Sequence, residues 1–240
     1  MTELYRSLLS RSRFCSPRPW TSRGLSFIGW QSWCWIWSGS NSLMAVLLLL
    51  GACATAPPPR NVSNACAIFS EYSEWYPAAK AASRRWEVPL PVLLAIIHQE
   101  STFRSDARPP PRTWYFGFIP GPRPSSAYGY SQALDGTWSD YIAATGNAHA
   151  DRDEFHDAVD FVGWYVHQTA KRNGIAKHDA YHQYLAYHEG QGGFARGSYR
   201  KKSWLMQRAR QVSQQAERYR IQLARCETQL AASSSPWRAF

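Results

Sequence analysis

The chain has 240 residues, 45% apolar and 15% aromatic, enough to fill the core of one domain and leave segments outside it. Its formal net charge of +10 suits a polyanion, an acidic polymer or an anionic membrane surface and does not choose among them. Basic residues are scattered, and no zinc-type Cys/His spacing, P-loop or Gly-rich dinucleotide fingerprint occurs, so neither nucleic acid nor a metal or organic cofactor is expected.

The first fifty residues differ from the rest. No charged residue occurs between Arg23 and Arg60, and the stretch up to Ser42 is rich in Ser, Arg and Trp with no clear period. Met44 to Cys53 is a short apolar run ending in small residues, the form of a secretory signal. Leu50-Gly51-Ala52-Cys53 resembles the bacterial lipoprotein signal, in which the Cys is lipidated and becomes the new N-terminus. The resemblance implies a leader over residues 1–52 and a membrane anchor at Cys53. Ala54, rather than Asp, after that Cys implies the periplasmic face of the outer membrane. Two other readings stand beside this one. The uncharged stretch is long enough to span a bilayer as an uncleaved anchor in the inner membrane. The basic segment also lies unusually far from the apolar run, which fits a start placed too far upstream.

Cys15 and Cys34 fall in the leader, which leaves Cys66 and Cys226 near the two ends of the remaining domain. In an exported protein such a pair is able to close a disulfide, and two unpaired thiols is the other reading. Residues 53–65, with a proline run followed by Asn and Ser, read as a linker. The domain is expected over residues 66–228 and a disordered tail over residues 229–240.

Within the domain the apolar residues recur at helical spacing. Ile68, Phe69, Tyr72, Trp75, Tyr76, Ala79 and Ala82 predict a helix from Cys66 to Trp86, kinked or split at Pro77. Pro91 opens a second helix whose run Val92 to Ile97 is apolar all round and therefore buried on most sides. Glu100 follows that run near the helix C-terminus, where burial and the helix dipole both disfavour its ionised form. Helices are also predicted from Asp135 to about Gly146, from Phe155 to Asn173 with Gly174 as cap, from Asp179 to Glu189, and from about Ser203 to Cys226. The last carries one apolar seam: Leu205, Ala209, Val212, Ala216, Tyr219 and Leu223. No strand is predicted, so the fold class is all-α.

Between the second and third helices lies a proline-rich loop, Ala107 to Ala127, holding Trp114-Tyr115-Phe116-Gly117-Phe118 among Arg108, Arg112 and Arg123. Its aromatic faces suit stacking on sugar rings. Equally, they suit filling one side of the core from a stiffened surface loop.

Three polar stations remain: Glu100-Ser101, Gly129-Tyr130-Ser131-Gln132, and Ala186-Tyr187-His188-Glu189-Gly190. Their order resembles the soluble lytic transglycosylase family, over roughly Trp75 to Phe194. In that family a buried helix ends in Glu-Ser, a Gly-Leu-Met-Gln segment follows, and Ala-Tyr-Asn-x-Gly closes the site. The resemblance implies a lysozyme-like helical fold, a monomer, and peptidoglycan glycan strands as substrate. It implies that Glu100 is the catalytic acid, that Ser101 hydrogen-bonds in the cleft, and that Gln132 contacts the glycan. It further implies that the Tyr187 hydroxyl helps hold the acid. His188 stands where the family has Asn, and Tyr130-Ser131 where it has Leu-Met, so the shelf beside the sugar is expected to differ.

The family's reaction needs a single carboxyl group and ends in a 1,6-anhydro sugar. A lysozyme-type hydrolase on the same fold would need a second carboxylate, for which Asp106, Asp135 and Glu189 are candidates, Glu189 foremost. A non-catalytic glycan-binding lipoprotein is the third reading.

Overall fold

A computed structural model describes residues 56–233. The leader, Cys53 and the last seven residues lie outside the described residues. Among the described residues seven helices account for nearly all regular structure: α1 (Ala65–Glu71), α2 (Trp75–Trp86), α3 (Leu90–Ser101), α4 (Asp135–Thr145), α5 (Phe155–Asn173), α6 (Ala180–Ala195) and α7 (Ser203–Ser233). A 3₁₀ turn, Ser198–Lys201, joins the last two. The fold is all-α as predicted, with one exception. Two-residue strands β1 (Trp114–Tyr115) and β2 (Ile119–Pro120) pair antiparallel within the proline-rich loop.

The first predicted helix is split, but not at Pro77. The break falls at residues 72–74, and Pro77 is the third residue of α2, within the first turn, where a missing N–H leaves no hydrogen bond unmade. At the break the Tyr72 and Trp75 rings stack at 4.3 Å. Trp75 then stacks on Phe155 at 4.1 Å, which fastens the start of α2 to the start of α5.

Helix α3 sits at the centre. Val92 to Ile97 are all buried, and the helix packs against α2, α5, α6 and α7. A helix buried on every side has no polar face to spare, which is why its sequence shows a run rather than a stripe. Helix α7 covers it with the predicted seam, and all six seam residues are buried. Its length departs from expectation. The helix continues to Ser233 and buries Leu230, so the boundary expected at residue 228 and the disordered tail from 229 are corrected by five helical residues.

The linker boundary is also corrected. Pro59 is buried, the Ser63 carbonyl accepts from Gln215 and Gln222, and Ala65 opens α1 with no exposed surface. The approach to α1 is thus held by α7 through backbone acceptors, a tie that composition does not reveal. Cys66 and Cys226 form a disulfide between α1 and α7, with Cα atoms 6.1 Å apart across 160 residues of sequence. Ala54–Phe240 is one compact unit that contains the whole described core and this disulfide, the requirements for folding alone. Among the described residues no helix is long and apolar enough to cross a membrane.

Candidate active site

Glu100 lies in the last turn of α3. The helix ends abruptly because Thr102 and Phe103 both take positive φ, 54° and 59°. Left-handed backbone at a β-branched residue and at a bulky aromatic is costly and persists only where the surroundings impose it. Here the imposing contact is Phe103, fully buried against Trp75 and Phe155. The strained exit therefore holds the carboxyl-bearing turn in place.

The Glu100 residue keeps some exposed surface, but its Oε1 is sealed from solvent and has no hydrogen-bond partner. Burial raises its pKa to about 7, and the Tyr184 hydroxyl and the Arg208 charge oppose that rise without cancelling it. A carboxyl group that is protonated near neutrality and keeps some exposed surface is equipped to give a proton to a bound acceptor.

The other two stations meet it from different elements. Gly129 takes φ +74°, and a Cβ there would sit 2.0 Å from the Arg152 carbonyl oxygen, so this turn requires glycine. Gln132, itself at φ 53°, spends its amide nitrogen on the carbonyls of Ala107 and Gly129, each at 2.8 Å. Its side chain closes the base of the proline-rich loop, and only its amide oxygen is left to face a ligand. Tyr130 is no shelf for a sugar: it is buried edge-on against Trp75 and Phe155. Ser131 is also buried, and its carbonyl accepts from the Tyr187 hydroxyl at 2.7 Å.

The Tyr187 hydroxyl, expected to help hold the acid, gives its hydrogen to this second station, and its pKa is raised by burial and by the Glu100 charge. A second hydroxyl, that of Tyr184 one turn earlier on α6, also interacts with the Glu100 carboxyl, and its own pKa is raised by burial and by Glu100. Tyr184 lacks a motif position, yet residues 184, 187 and 188 share one face of a helix, and that i, i+3, i+4 spacing was the available signal. Ser101 is buried and its hydroxyl bonds back to the Ile97 carbonyl at 3.2 Å, the local helix bond a serine makes when it faces inward. His188 is exposed, in contact with Glu189 at 3.2 Å and edge-on to Trp204 at 5.2 Å. Trp204, half-exposed on the first turn of α7, was not singled out in the sequence.

Helix α6 continues through Gly190 to Ala195, six residues beyond the predicted end, by passing a kink at φ 72°, ψ 154°. Only glycine adopts that conformation readily. The kink turns Glu189 toward Ser198 and Lys202. Its side chain is 5% exposed, bonds Lys202 at 2.7 Å and also accepts from Ser198. Burial pushes its pKa up, but the bonds from Lys202, Ser198 and His188 outweigh it and bring the value down to about 2. Asp106 and Asp135 are exposed and paired with Arg104 and Arg152. A separate cavity of 510 Å³, lined by Tyr72, Glu74, Trp75, Tyr130, Asp153 and His156 among others, includes neither Glu100 nor Tyr187.

The domain is all-α and centred on a buried helix that ends in one carboxyl group of raised pKa. The transglycosylase SLT domain family matches residues 41–226, most of the chain, and the protein belongs to that family. Its fold is the lysozyme-like fold of the family, whose members act on peptidoglycan in the cell envelope. Among curated proteins and among solved structures, none matches the chain.

Proposed function

We propose that the protein is a peptidoglycan lytic transglycosylase in which Glu100 is the sole acid and base. The observation that carries this reading is a carboxyl group at the end of the buried helix whose pKa burial raises to about 7 while the residue keeps some exposed surface. Glu100 gives its proton to the oxygen linking N-acetylmuramic acid to N-acetylglucosamine, and the bond from that oxygen to C1 breaks. The muramic acid C6 hydroxyl oxygen then attacks C1, and the carboxylate takes the C6 hydroxyl proton. A 1,6-anhydro end forms, Glu100 is protonated again, and no water is consumed. Tyr184 steadies the carboxylate between the two transfers, and Tyr187 braces the Gly129–Gln132 turn that borders the site. His188 and Trp204 supply an exposed imidazole and an indole face suited to a sugar ring.

The engagement of Glu189 by three partners counts against a hydrolase built on two carboxylates. Lipidation at Cys53 and residence on the outer membrane belong to the same proposal, as do a monomeric state and a substrate limited to glycan strands. The test is mass spectrometry of fragments released from sacculi by the wild type and by Glu100→Gln. The expected products carry ends one water lighter than reducing ends, and the variant releases none. Reducing ends from the wild type would turn the assignment to the hydrolase.

A further inference from the structure

The hairpin of residues 114–120 does not fill a side of the core. Trp114, Tyr115, Phe116, Phe118 and Ile119 are all exposed, Phe116 by 87%. Five large apolar side chains in six residues, all in solvent, are a surface built for a partner. The hairpin is also preformed. Phe116 and Gly117 take φ of 52° and 79° within the three-residue loop that joins the paired Tyr115 and Ile119, and the Phe118 N–H donates to the Tyr115 carbonyl at 3.2 Å. Below the strands the Gly121 N–H bonds the Thr113 carbonyl and the Arg112 N–H bonds the Pro122 carbonyl, at 2.8 and 3.0 Å.

The side chains are layered along this stalk. Phe116 and Phe118 flank Gly117; Trp114, Tyr115 and Ile119 follow; and Arg112 and Arg123 lie on the two arms of the base, where Arg112 pairs with Pro122. Four residues of extended chain from Arg112 to Phe116 span about 13 Å. Apolar tip, amphipathic aromatic belt and arginine base is the order of a bilayer interface from acyl boundary to phosphate. No acidic residue occurs between Asp106 and Asp135, so the whole loop is cationic. Arg108 lies over the Tyr128 ring at 4.1 Å and Arg123 bonds the Pro109 carbonyl, contacts that leave both charges unneutralised. Glycan recognition requires polar groups beside the stacking faces. Phe116, Phe118 and Ile119 offer none.

We propose that this hairpin docks the domain on an anionic phospholipid surface, with its apolar tip in the interfacial layer and Arg112 and Arg123 at headgroup phosphates. The inference is independent of the reaction proposed for Glu100. It is tested by flotation of residues 54–240, which exclude the apolar run and Cys53, with vesicles of phosphatidylglycerol and phosphatidylcholine. The wild type is expected to float, and Phe116→Ser/Phe118→Ser to lose affinity at least about tenfold with an unchanged melting temperature, since both rings are exposed. Arg112→Gln/Arg123→Gln is expected to lose about fivefold per arginine and to flatten the dependence on salt. Failure of the wild type to float overturns the proposal, as does equal flotation of the serine variant. Two further outcomes overturn it in favour of another occupant. One is self-association in sedimentation, abolished in the serine variant, without flotation. The other is loss of retention on sacculi in that variant while vesicle binding is unaltered.

Discussion

Glu100 and Glu189 are the same side chain given opposite fates. Glu100 lies in the last turn of a helix buried from Val92 to Ile97, and the rise in its pKa is opposed only by the Tyr184 hydroxyl and the Arg208 charge, with one oxygen lacking a hydrogen-bond partner. Glu189 sits just before a glycine kink and receives a lysine, a serine and a histidine. Burial acts on both. Only at Glu189 do the partners outweigh it, so its pKa falls to about 2 while that of Glu100 rises to about 7. The difference teaches that exposure alone does not identify the carboxyl that is held protonated near neutrality. What identifies it is burial left uncompensated.

The sharpest way to break that comparison is to neutralise each carboxyl in turn. Glu100→Gln keeps the shape and removes the proton, and fragment release from sacculi is expected to fall by about 10²–10⁴-fold. Glu189→Gln is expected to leave release per folded molecule within a few-fold of wild type. The reverse pattern would make Glu189 the essential group.

The same substitution at Glu100 is expected to stabilise the fold. Its folded pKa is raised, so between about pH 4.5 and about pH 7 the unfolded chain ionises while the folded chain stays protonated, and stability falls as pH rises through that window. Glu100→Gln escapes this loss. Urea unfolding is expected to show the variant about 2–3 kcal/mol more stable at pH 8 and no different at pH 4. Equal stability at both values would mean that Glu100 is not held neutral.

How far this contrast was legible in the sequence depends on the length scale of the physics. The apolar run Val92 to Ile97 and the carboxylate after it are local, and periodicity reads them directly. The seam of α7 is equally local. Tyr184 is different. It is one aromatic among several on α6, and only the packing of α6 against α3 brings its hydroxyl to Glu100. The motif resemblance points to Tyr187, whose hydroxyl donates to the Ser131 carbonyl and whose pKa the Glu100 charge raises. Gln132 reads as a ligand-binding residue in sequence, yet its amide is needed to close the loop at Ala107. The partners of Glu189 were hidden for the same reason, since Ser198 and Lys202 reach it only across the kink at Gly190. The exposed hairpin was undecidable from composition, because aromatics that fill a core and aromatics that face a membrane have the same letters.

For Glu189 the linkage runs the other way. Its folded pKa is depressed, so its contribution is present in full above about pH 4.5 and is lost as pH falls toward about 2. Lys202 is 41% exposed, which screens the pair. Glu189→Gln is therefore expected to cost about 2 kcal/mol at pH 7, shrinking toward zero in acid, as read by urea unfolding across that range. A loss that is independent of pH would assign the effect to packing rather than charge.

The smallest expected effect separates the two tyrosines of α6. Tyr184→Phe removes a hydroxyl that favours the ionised form of Glu100, so the acid's pKa moves further up and the alkaline limb of kcat/KM follows it to higher pH. The carboxylate also loses its support between the two proton transfers, and kcat is expected to fall about tenfold. Tyr187→Phe instead leaves the buried Ser131 carbonyl without its donor. It is expected to cost about 1 kcal/mol of stability and to leave the alkaline limb where it was. If the limb moves in Tyr187→Phe and stays fixed in Tyr184→Phe, the acid is held by the residue that the motif indicated, and the hydroxyl of Tyr184 serves only the core.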